Sequence, residues 1–126
     1  GAVFGWGTFD LPAGKAWTLP GYGDYLEQLT PGLRARTAEF GVPGFEDVVA
    51  AFNPVPADDT ATAPHWSVTF GSDDADATAE RAVSLGGEVV VPPFDGPFVR
   101  MTVLRDPQGA TFTASQFVPE NRDLAS

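Results

Sequence analysis

The 126-residue chain has no cysteine, one methionine and one histidine, and its seven basic residues face seventeen acidic ones. Without cysteine, disulfide scaffolds, thiol catalysis and thiolate zinc sites are excluded. The net charge of −10 argues against binding to nucleic acid or to anionic membrane surfaces. No apolar run approaches the ~18 residues of a transmembrane helix, and no signal peptide is visible. We therefore expect a cytoplasmic protein that binds neither nucleic acid nor membrane.

The residues that are present indicate a folded domain. The chain is 43% hydrophobic and 19% charged, which is not the composition of a disordered segment, and its length is typical of a single domain over residues 1–126. The 14 glycines and 12 prolines predict short strands joined by turns. The proline-rich, acidic stretch 53–64 predicts an exposed linker between two halves.

The second half gives the clearer pattern of secondary structure. Residues 65–70 alternate polar and apolar side chains, as a half-buried strand does. Ser72, Asp73 and Asp74 predict a helix start, alanines and Leu85 follow at helical spacing, and Gly86 with Gly87 ends that helix. Further strands are predicted at 88–91, where two prolines stop the strand, and at 98–104 and 110–117. The predicted order is therefore β-α-β-β-β.

The first half is less regular. Residues 1–6 predict the last turn of a helix, and 8–11, 16–19 and 23–29 predict strands or extended segments. Thr30 as N-cap and Pro31 at the first helical position predict a helix over 30–41, with Leu33, Thr37 and Phe40 facing inward. Residues 48–52 predict a short strand.

The ordered set His65-Trp-Ser-Val-Thr-Phe, Asp73-Asp-Ala-Asp-Ala-Thr-Ala, Leu85-Gly-Gly, Val91-Pro-Pro and Asp106-Pro-Gln-Gly-Ala resembles the second βαβββ module of the vicinal-oxygen-chelate superfamily. That superfamily contains glyoxalase I, extradiol dioxygenases and the bleomycin-resistance proteins. The start, Gly1-Ala-Val-Phe-Gly-Trp6, resembles the end of the helix of a first module. The resemblance implies an α+β fold in which paired βαβββ modules form a curved mixed sheet around a cleft. It implies an incomplete first module over 1–56 with an inserted helix at 30–41, and a second module over 64–118.

The same resemblance implies that residues are missing before Gly1, as in a C-terminal fragment of a tandem actinobacterial glyoxalase- or hydroxylase-like protein. Metal-using members hold a divalent ion with two histidines and two glutamates. Here His65 occupies one histidine position, Thr113 occupies one glutamate position, and Ala50 or Ala51 occupies the other. One ligand of four remains, so we expect no metal and no cofactor.

The alternation of side chains along each strand suggests a ligand site. His65, Ser67 and Thr69 share one face of their strand, as do Thr111 and Thr113 of theirs, and Arg100 and Thr102 alternate with Met101 and Val103. We expect the apolar sets to pack on the helix and the polar sets to converge on the concave face, with Arg100 as the partner of an anion and with Trp17 and Tyr22 at the rim. Each residue also has a simpler interpretation: a hydrogen-bonded strand histidine, a surface ion pair at Arg100, and solvated hydroxyls.

These residues support three hypotheses about function. The first is a module that binds a small polar or anionic molecule without a metal. The second is a divalent-metal-dependent lyase, isomerase or dioxygenase acting on vicinal oxygens, and the third is the structural half of a tandem protein. Whether a reaction is catalysed, and which ligand binds, is left open. The resemblance also implies that the first strand of the first module is missing, which leaves an unpaired sheet edge. Together with the aromatic residues Phe4, Trp6 and Phe9, this edge predicts a homodimer or a partner half of a tandem protein.

Overall fold

The computed structural model describes residues 3–11, 14–39 and 41–125 of the chain. The chain divides into two compact units, residues 1–64 and 65–126. The described residues contain no helix that is both long and apolar enough to span a membrane.

The first unit is built on an antiparallel three-stranded sheet in the order β1-β2-β3. Its strands are β1 (Gly7–Leu11), β2 (Gly14–Thr18) and β3 (Val48–Phe52). Between β2 and β3 lie helix α1 (Tyr22–Leu29), helix α2 (Leu33–Ala38) and a 3-10 turn, Phe45–Asp47. The three predicted strands are confirmed to within a few residues, whereas the connecting segment differs from the prediction.

Residues 23–29 form most of helix α1, so the prediction of a strand or extended segment there is wrong. Tyr22, Tyr25, Leu26 and Leu29 recur at a helical spacing, which that prediction overlooked. Gly23 is required inside this helix because a Cβ there would lie 2.5 Å from Glu46 Cγ. Its backbone N–H donates to Asp47 Oδ1 at 2.8 Å, which joins α1 to the 3-10 turn.

Helix α2 begins later than Thr30 and Pro31 predict. Thr30 ends α1, where its N–H donates to the Leu26 carbonyl at 2.8 Å, and the N-cap of α2 is Gly32. The Glu27 carboxylate accepts the N–H groups of Gly32 and Arg34 at 2.8 and 2.9 Å, and these bonds, that from Arg34 foremost, lower the pKa of Glu27. A side chain of the preceding helix therefore replaces the predicted threonine cap.

Two further predictions for the first unit have a mixed outcome. Leu33 and Thr37 are half-buried as expected, while Phe40 lies outside the described residues. Of the predicted helical turn at 1–6, Val3 and Phe4 form a non-helical turn, and the first two residues lie outside the described chain.

The second unit is a four-stranded mixed sheet with one helix on one face. Its strands are β4 (Thr69–Gly71), β5 (Glu88–Gly96), β6 (Val99–Arg105) and β7 (Thr111–Phe117), in the order β4-β7-β6-β5. Strand β4 pairs with β7 in parallel, and the other pairs are antiparallel. With helix α3 (Ala75–Ser84) after β4, the predicted β-α-β-β-β order is confirmed, and so is the α+β class.

Helix α3 packs on the sheet around a small apolar core. Asp74 caps the helix by accepting the Ala77 N–H at 2.9 Å. Ala79, Leu104 and Ala114 are buried together, and Ala82, Val89 and Phe112 pack against them. Leu85, which follows the alanines of α3 at helical spacing, is 68% exposed, because the helix ends before it and the chain turns at Gly86 (φ 89°).

Two strands of the second unit depart from their predicted bounds. Strand β4 begins at Thr69 rather than at residue 65, and Trp66, expected to pack on α3, is 79% exposed. Strand β5 continues through Pro92 and Pro93, which were expected to stop it. Proline is tolerated at the edge of a sheet or at a bulge, and β5 is an edge strand whose register shifts between Val91 and Phe94.

Candidate functional site

The register of the second sheet determines which side chains share a face. Thr69 pairs with Thr113, which pairs in turn with Val103. Residues that are paired across strands point to the same side of a sheet. The core residues Leu104 and Ala114 lie on the side of α3, so the residues that alternate with them lie on the opposite side.

We call that opposite side the hydroxyl-bearing face. The pairing of the four strands assigns to it Thr69, Val91, Phe94, Met101, Val103, Thr113 and Ser115. Thr113, Ser115, Met101 and Val103 are half-buried, and Thr69, Val91 and Phe94 are exposed. Three hydroxyl groups on two adjacent strands therefore lie beside an apolar surface.

Thr111 belongs to the same side but lies at its end. It is exposed and pairs with Arg105. Arg105 pairs in register with Glu88 and forms an ion pair with it at 3.1 Å between Nη1 and Oε2. This end of the face therefore carries opposite charges that neutralise each other.

The prediction that Arg100 and Thr102 converge with the hydroxyl rows is wrong. They alternate with Met101 and Val103 and so lie on the face of α3. Arg100 Nε and Nη2 donate to the Asp76 carboxylate of α3 at 2.6 and 3.0 Å, and Nη1 lies 3.2 Å from Asp95 Oδ1. The bonds that Arg100 donates, first to Asp76 and then to Asp95, raise the pKa of Arg100. The guanidinium is thus a structural ion-pair partner of two carboxylates.

Thr102 is fully buried, and its hydroxyl serves the bulge in β5. It donates to the Val91 carbonyl at 2.8 Å, beside the point where Pro92 and Pro93 shift the register. A buried hydroxyl without a partner is costly, so the Val91 carbonyl satisfies the Thr102 side chain, and the bond ties β6 to the irregular edge strand.

His65 and Ser67 precede β4 and are exposed. The described pairing of β4 with β7 begins at Thr69, and the Val68 carbonyl before it accepts the Thr113 N–H at 2.9 Å. The pairing that brings Thr69 next to Thr113 therefore does not extend to His65 and Ser67, and their role in ligand binding stays a prediction.

Trp17 and Tyr22 belong to the first unit. Trp17 stands in a row of aromatic rings on its sheet, with centroids 6.4 Å from Trp6 and 5.6 Å from Phe52. Tyr22 stacks on Tyr25 at 6.5 Å within α1. Their role at the rim of a site also stays a prediction.

The residues that the resemblance places at three of the four ligand positions, His65, Thr113 and Ala50 or Ala51, do not fit a divalent metal ion. Thr113 lies between Thr69 and Val103, and Ala50 and Ala51 pair with Trp17 and Ala16. Within residues 3–11, 14–39 and 41–125, no three histidine, aspartate or glutamate side chains are grouped as metal ligands. Hard divalent ions need several oxygen or imidazole donors, which these positions do not supply.

A depression of about 500 Å³ lies in the first unit, lined by Arg34, Ala38, Gly41, Val42, Pro43, Gly44 and Glu46. Arg34 donates there to Asp24 and, at 3.4 Å, to Glu46. This arginine therefore ties α1 and α2 to the 3-10 turn, and the depression holds none of the predicted site residues.

Met101 and Val103 belong to the hydroxyl-bearing face, contrary to the prediction. Because they alternate with the polar residues Arg100 and Thr102, their apolar character predicted that they lie in the core. The available signal was Leu104, a large apolar residue in phase with Arg100 and Thr102, which becomes the buried centre of the core.

Comparison with known proteins decides the family. A family model described as a glyoxalase-like domain matches residues 21–115, which include part of the first unit and most of the second. The chain belongs to the glyoxalase-like domain family. With it, the predicted membership of the vicinal-oxygen-chelate superfamily is confirmed.

Individual relatives match this glyoxalase-like chain over different lengths. The anthracycline biosynthesis protein DnrV of Streptomyces peucetius is 33% identical over 132 residues, which cover 90% of this chain and 48% of DnrV. CFP32 of Mycobacterium bovis, named a candidate glyoxylase, is 51% identical over 57 residues, 44% of this chain and 22% of its own length. The chain thus spans half or less of the length of these relatives.

Among solved structures, a glyoxalase/bleomycin resistance protein/dioxygenase family enzyme from Burkholderia phytofirmans aligns over 92% of this chain and 83% of its own. The sequence identity is 14% and the TM-score is 0.36.

Proposed function

We propose that this glyoxalase-like domain binds a small, largely apolar molecule with uncharged oxygen groups, and that it does so without a metal ion. The observation that carries the proposal is the hydroxyl-bearing face, where the row Thr69–Thr113–Val103 runs next to the row Ser115–Met101–Phe94. Hydroxyl side chains both donate and accept hydrogen bonds. Binding sites for small molecules typically combine an apolar surface with a few polar groups that orient the ligand.

The charges around the face favour an uncharged ligand over an anion. Arg100, the expected partner of an anion, lies on the side of α3 and holds two carboxylates. Arg105 lies at the end of the face and is paired with Glu88. An anion would have to displace a carboxylate from one of these arginines. It would also be repelled by the acidic groups of a chain whose net charge is −10.

The name of one relative supports the proposal, and the name of another supports its alternative. DnrV is named for anthracycline biosynthesis, and the anthracycline ring system is a planar polycycle with hydroxyl and carbonyl oxygens. The name of CFP32 points to a glyoxylase, which favours the alternative of a metal-dependent enzyme. That alternative requires ligands that Thr113, Ala50 and Ala51 do not supply.

Titration with a model ligand tests the proposal. We expect an uncharged dihydroxyanthraquinone to bind in the presence of EDTA and to shift the amide signals of Thr113 and Ser115 in NMR spectra. Thr113→Val removes a hydroxyl and keeps the side-chain shape. Since a hydrogen bond contributes about 0.5–1.5 kcal/mol, this variant should weaken binding roughly two- to tenfold.

Two controls sharpen the titration. Thr60→Val makes the same chemical change in the exposed linker and should leave the affinity unchanged. An anthraquinone sulfonate should bind more weakly than the uncharged probe. The proposal fails if Thr113→Val binds as wild type does, if the sulfonate binds more tightly, or if binding requires an added divalent metal.

A further inference from the structure

The turn between β5 and β6 has a strained backbone. Pro97 and Phe98 form this two-residue connection, and Phe98 has φ 61°. A proline followed by a residue of positive φ is the pattern of a type II turn, in which glycine or asparagine normally takes the second position. A bulky residue is rare in this conformation, so the rest of the structure must hold Phe98 there.

The residues after β7 supply the bonds that hold it. The Val118 N–H donates to the Phe98 carbonyl at 2.7 Å, and the Phe98 N–H donates to the Asn121 carbonyl at 3.4 Å. Val118 and Asn121 are themselves joined, since the Asn121 N–H donates to the Val118 carbonyl at 3.0 Å. Both polar backbone groups of Phe98 are therefore bonded to one short C-terminal segment.

The Asn121 side chain adds a second connection to the hairpin. Its Nδ2 donates to the Val99 carbonyl at 3.0 Å and to Asp95 Oδ1 at 3.1 Å. Both partners are acceptors, so the orientation of the amide is determined by them. Asp95 also faces Arg100, which is bound to Asp76 of α3. Asn121 thus links the strained turn to the ion pairs on the helix side of the sheet.

The Phe98 turn also determines where two side chains of the hydroxyl-bearing face lie. In a hairpin the turn type sets the register of the strands, and the first side-chain pair of that face beyond Gly96 and Val99 is Phe94 with Met101. We propose that Asn121 is a positioning residue that holds the Phe98 turn in its strained form and so places Phe94 and Met101. This role rests on the proposed function of that face in ligand binding.

Met101 offers a direct readout, because it is the only methionine in the chain. With ¹³C-methyl methionine, the protein gives one methyl signal, and that signal comes from the hydroxyl-bearing face. We expect Asn121→Ala to shift or broaden this signal and to weaken binding of the dihydroxyanthraquinone about three- to tenfold. Asn53→Ala, an exposed asparagine in the linker, should change neither.

A rescue experiment separates positioning from general destabilisation. Glycine adopts a positive φ without strain, so Phe98→Gly should restore the Met101 signal and probe binding in the Asn121→Ala background. Phe98→Ala removes the same ring but keeps the Cβ, and should not restore them. In the otherwise wild-type chain, the equilibrium constant for unfolding should be roughly 5- to 30-fold smaller for Phe98→Gly than for Phe98→Ala.

Each outcome decides between the two proposals. An unmoved Met101 signal in Asn121→Ala, or equal behaviour of Phe98→Gly and Phe98→Ala, would overturn the role of Asn121. A shifted and rescued signal in a protein that does not bind the probe would support the positioning role and overturn the proposed ligand. If Asn121→Ala does not fold, Asn121→Leu keeps the approximate side-chain size, adds no charge beside Asp95 and removes both donated bonds, and the same signal is measured.

Discussion

At the scale of single residues, neighbours rather than polarity decide what Arg100 and Thr102 do. Both are polar residues in a strand, and both lie on the covered face of the sheet. Arg100 is held by two carboxylates, and Thr102 donates to a main-chain carbonyl. Buried or half-buried polar groups are stable only when their hydrogen bonds are made, so the partners had to be provided by α3 and by β5.

The first prediction concerns the Thr102 hydroxyl. Thr102→Val keeps the volume but removes the hydrogen bond to the Val91 carbonyl, and it should lower the free energy of unfolding by about 0.5–1.5 kcal/mol. Thr102→Ser keeps the hydroxyl and should be the more stable of the two variants. Denaturant titration measures both. Equal stability of Thr102→Val and wild type would show that Val91 is satisfied in another way.

The second prediction concerns acid sensitivity through Asp76. Hydrogen bonds from Arg100 lower the pKa of the Asp76 carboxyl in the folded state below its usual value of 3.8. A lowered folded-state pKa gives stability that is present above the unfolded pKa and is lost as the pH falls below it. Asp76→Asn removes that linkage, so its stability should fall less than that of wild type between about pH 5 and about pH 3. Urea titrations at several pH values measure the two slopes, and identical slopes would contradict the prediction.

At the scale of elements, strand β5 shows how position in a sheet overrides a local signal. Two adjacent prolines normally end a strand because they lack the N–H that a neighbouring strand needs. Strand β5 lies at the edge and has β6 as its neighbour, and the register shift at the prolines absorbs the mismatch. The strand therefore continues to Gly96 and brings Phe94 to the hydroxyl-bearing face.

The third prediction compares two leucines of the second unit, Leu104 on β6 and Leu85 at the C-terminal end of α3. Leu104 is fully buried, and Leu85 is 68% exposed. Leu104→Ala should lower the free energy of unfolding by about 2–5 kcal/mol because it leaves a cavity. Leu85→Ala should change it by no more than about 0.5 kcal/mol. Thermal and denaturant unfolding of the two variants provides the comparison, and a larger loss at Leu85 would mean that α3 ends later than described.

At the scale of the whole molecule, an acidic chain carries an apolar aromatic row on the first unit. Phe4 is 67% exposed and stacks on Trp6 at 5.0 Å, and the row continues through Trp17 to Phe52. Phe9, which was expected to join the contact surface, pairs with buried Ala16 and so faces the other side of the sheet. Exposed apolar patches on soluble proteins often mark contact surfaces.

The fourth prediction is that the chain forms a homodimer through this row. Light scattering at micromolar concentration should give about twice the monomer mass of 13.3 kDa. Phe4→Ser should shift the equilibrium toward the monomer, and so should Trp6→Ala. Leu29 is an exposed apolar residue of α1, so Leu29→Ser serves as the control and should leave the mass unchanged. A wild-type chain that is monomeric under these conditions would refute the prediction.

The family was identified from the resemblance of its ordered motifs. The sequence by itself determined the α+β class and the order of elements in the second unit. Those features follow from local signals: alternation in β6 and β7, the Asp74 cap of α3, the glycines after it and the turn at Asp106, where the Gly109 N–H donates to the Asp106 carbonyl at 3.0 Å. Each of these signals acts within a few residues, so the sequence is enough to interpret them without the tertiary structure.

Only the tertiary structure decided which side of each strand faces the helix. Alternation gives two faces but does not say which one is covered. In β6 both faces carry a polar residue, since Arg100 lies on one and Arg105 on the other. Register with β7 and the burial of Leu104 settle the question and move Arg100 and Thr102 away from the predicted site. The bond that joins α1 to the 3-10 turn and the bonds from Asn121 to the β5–β6 hairpin likewise depend on partners distant in sequence, Asp47 and Asp95 among them.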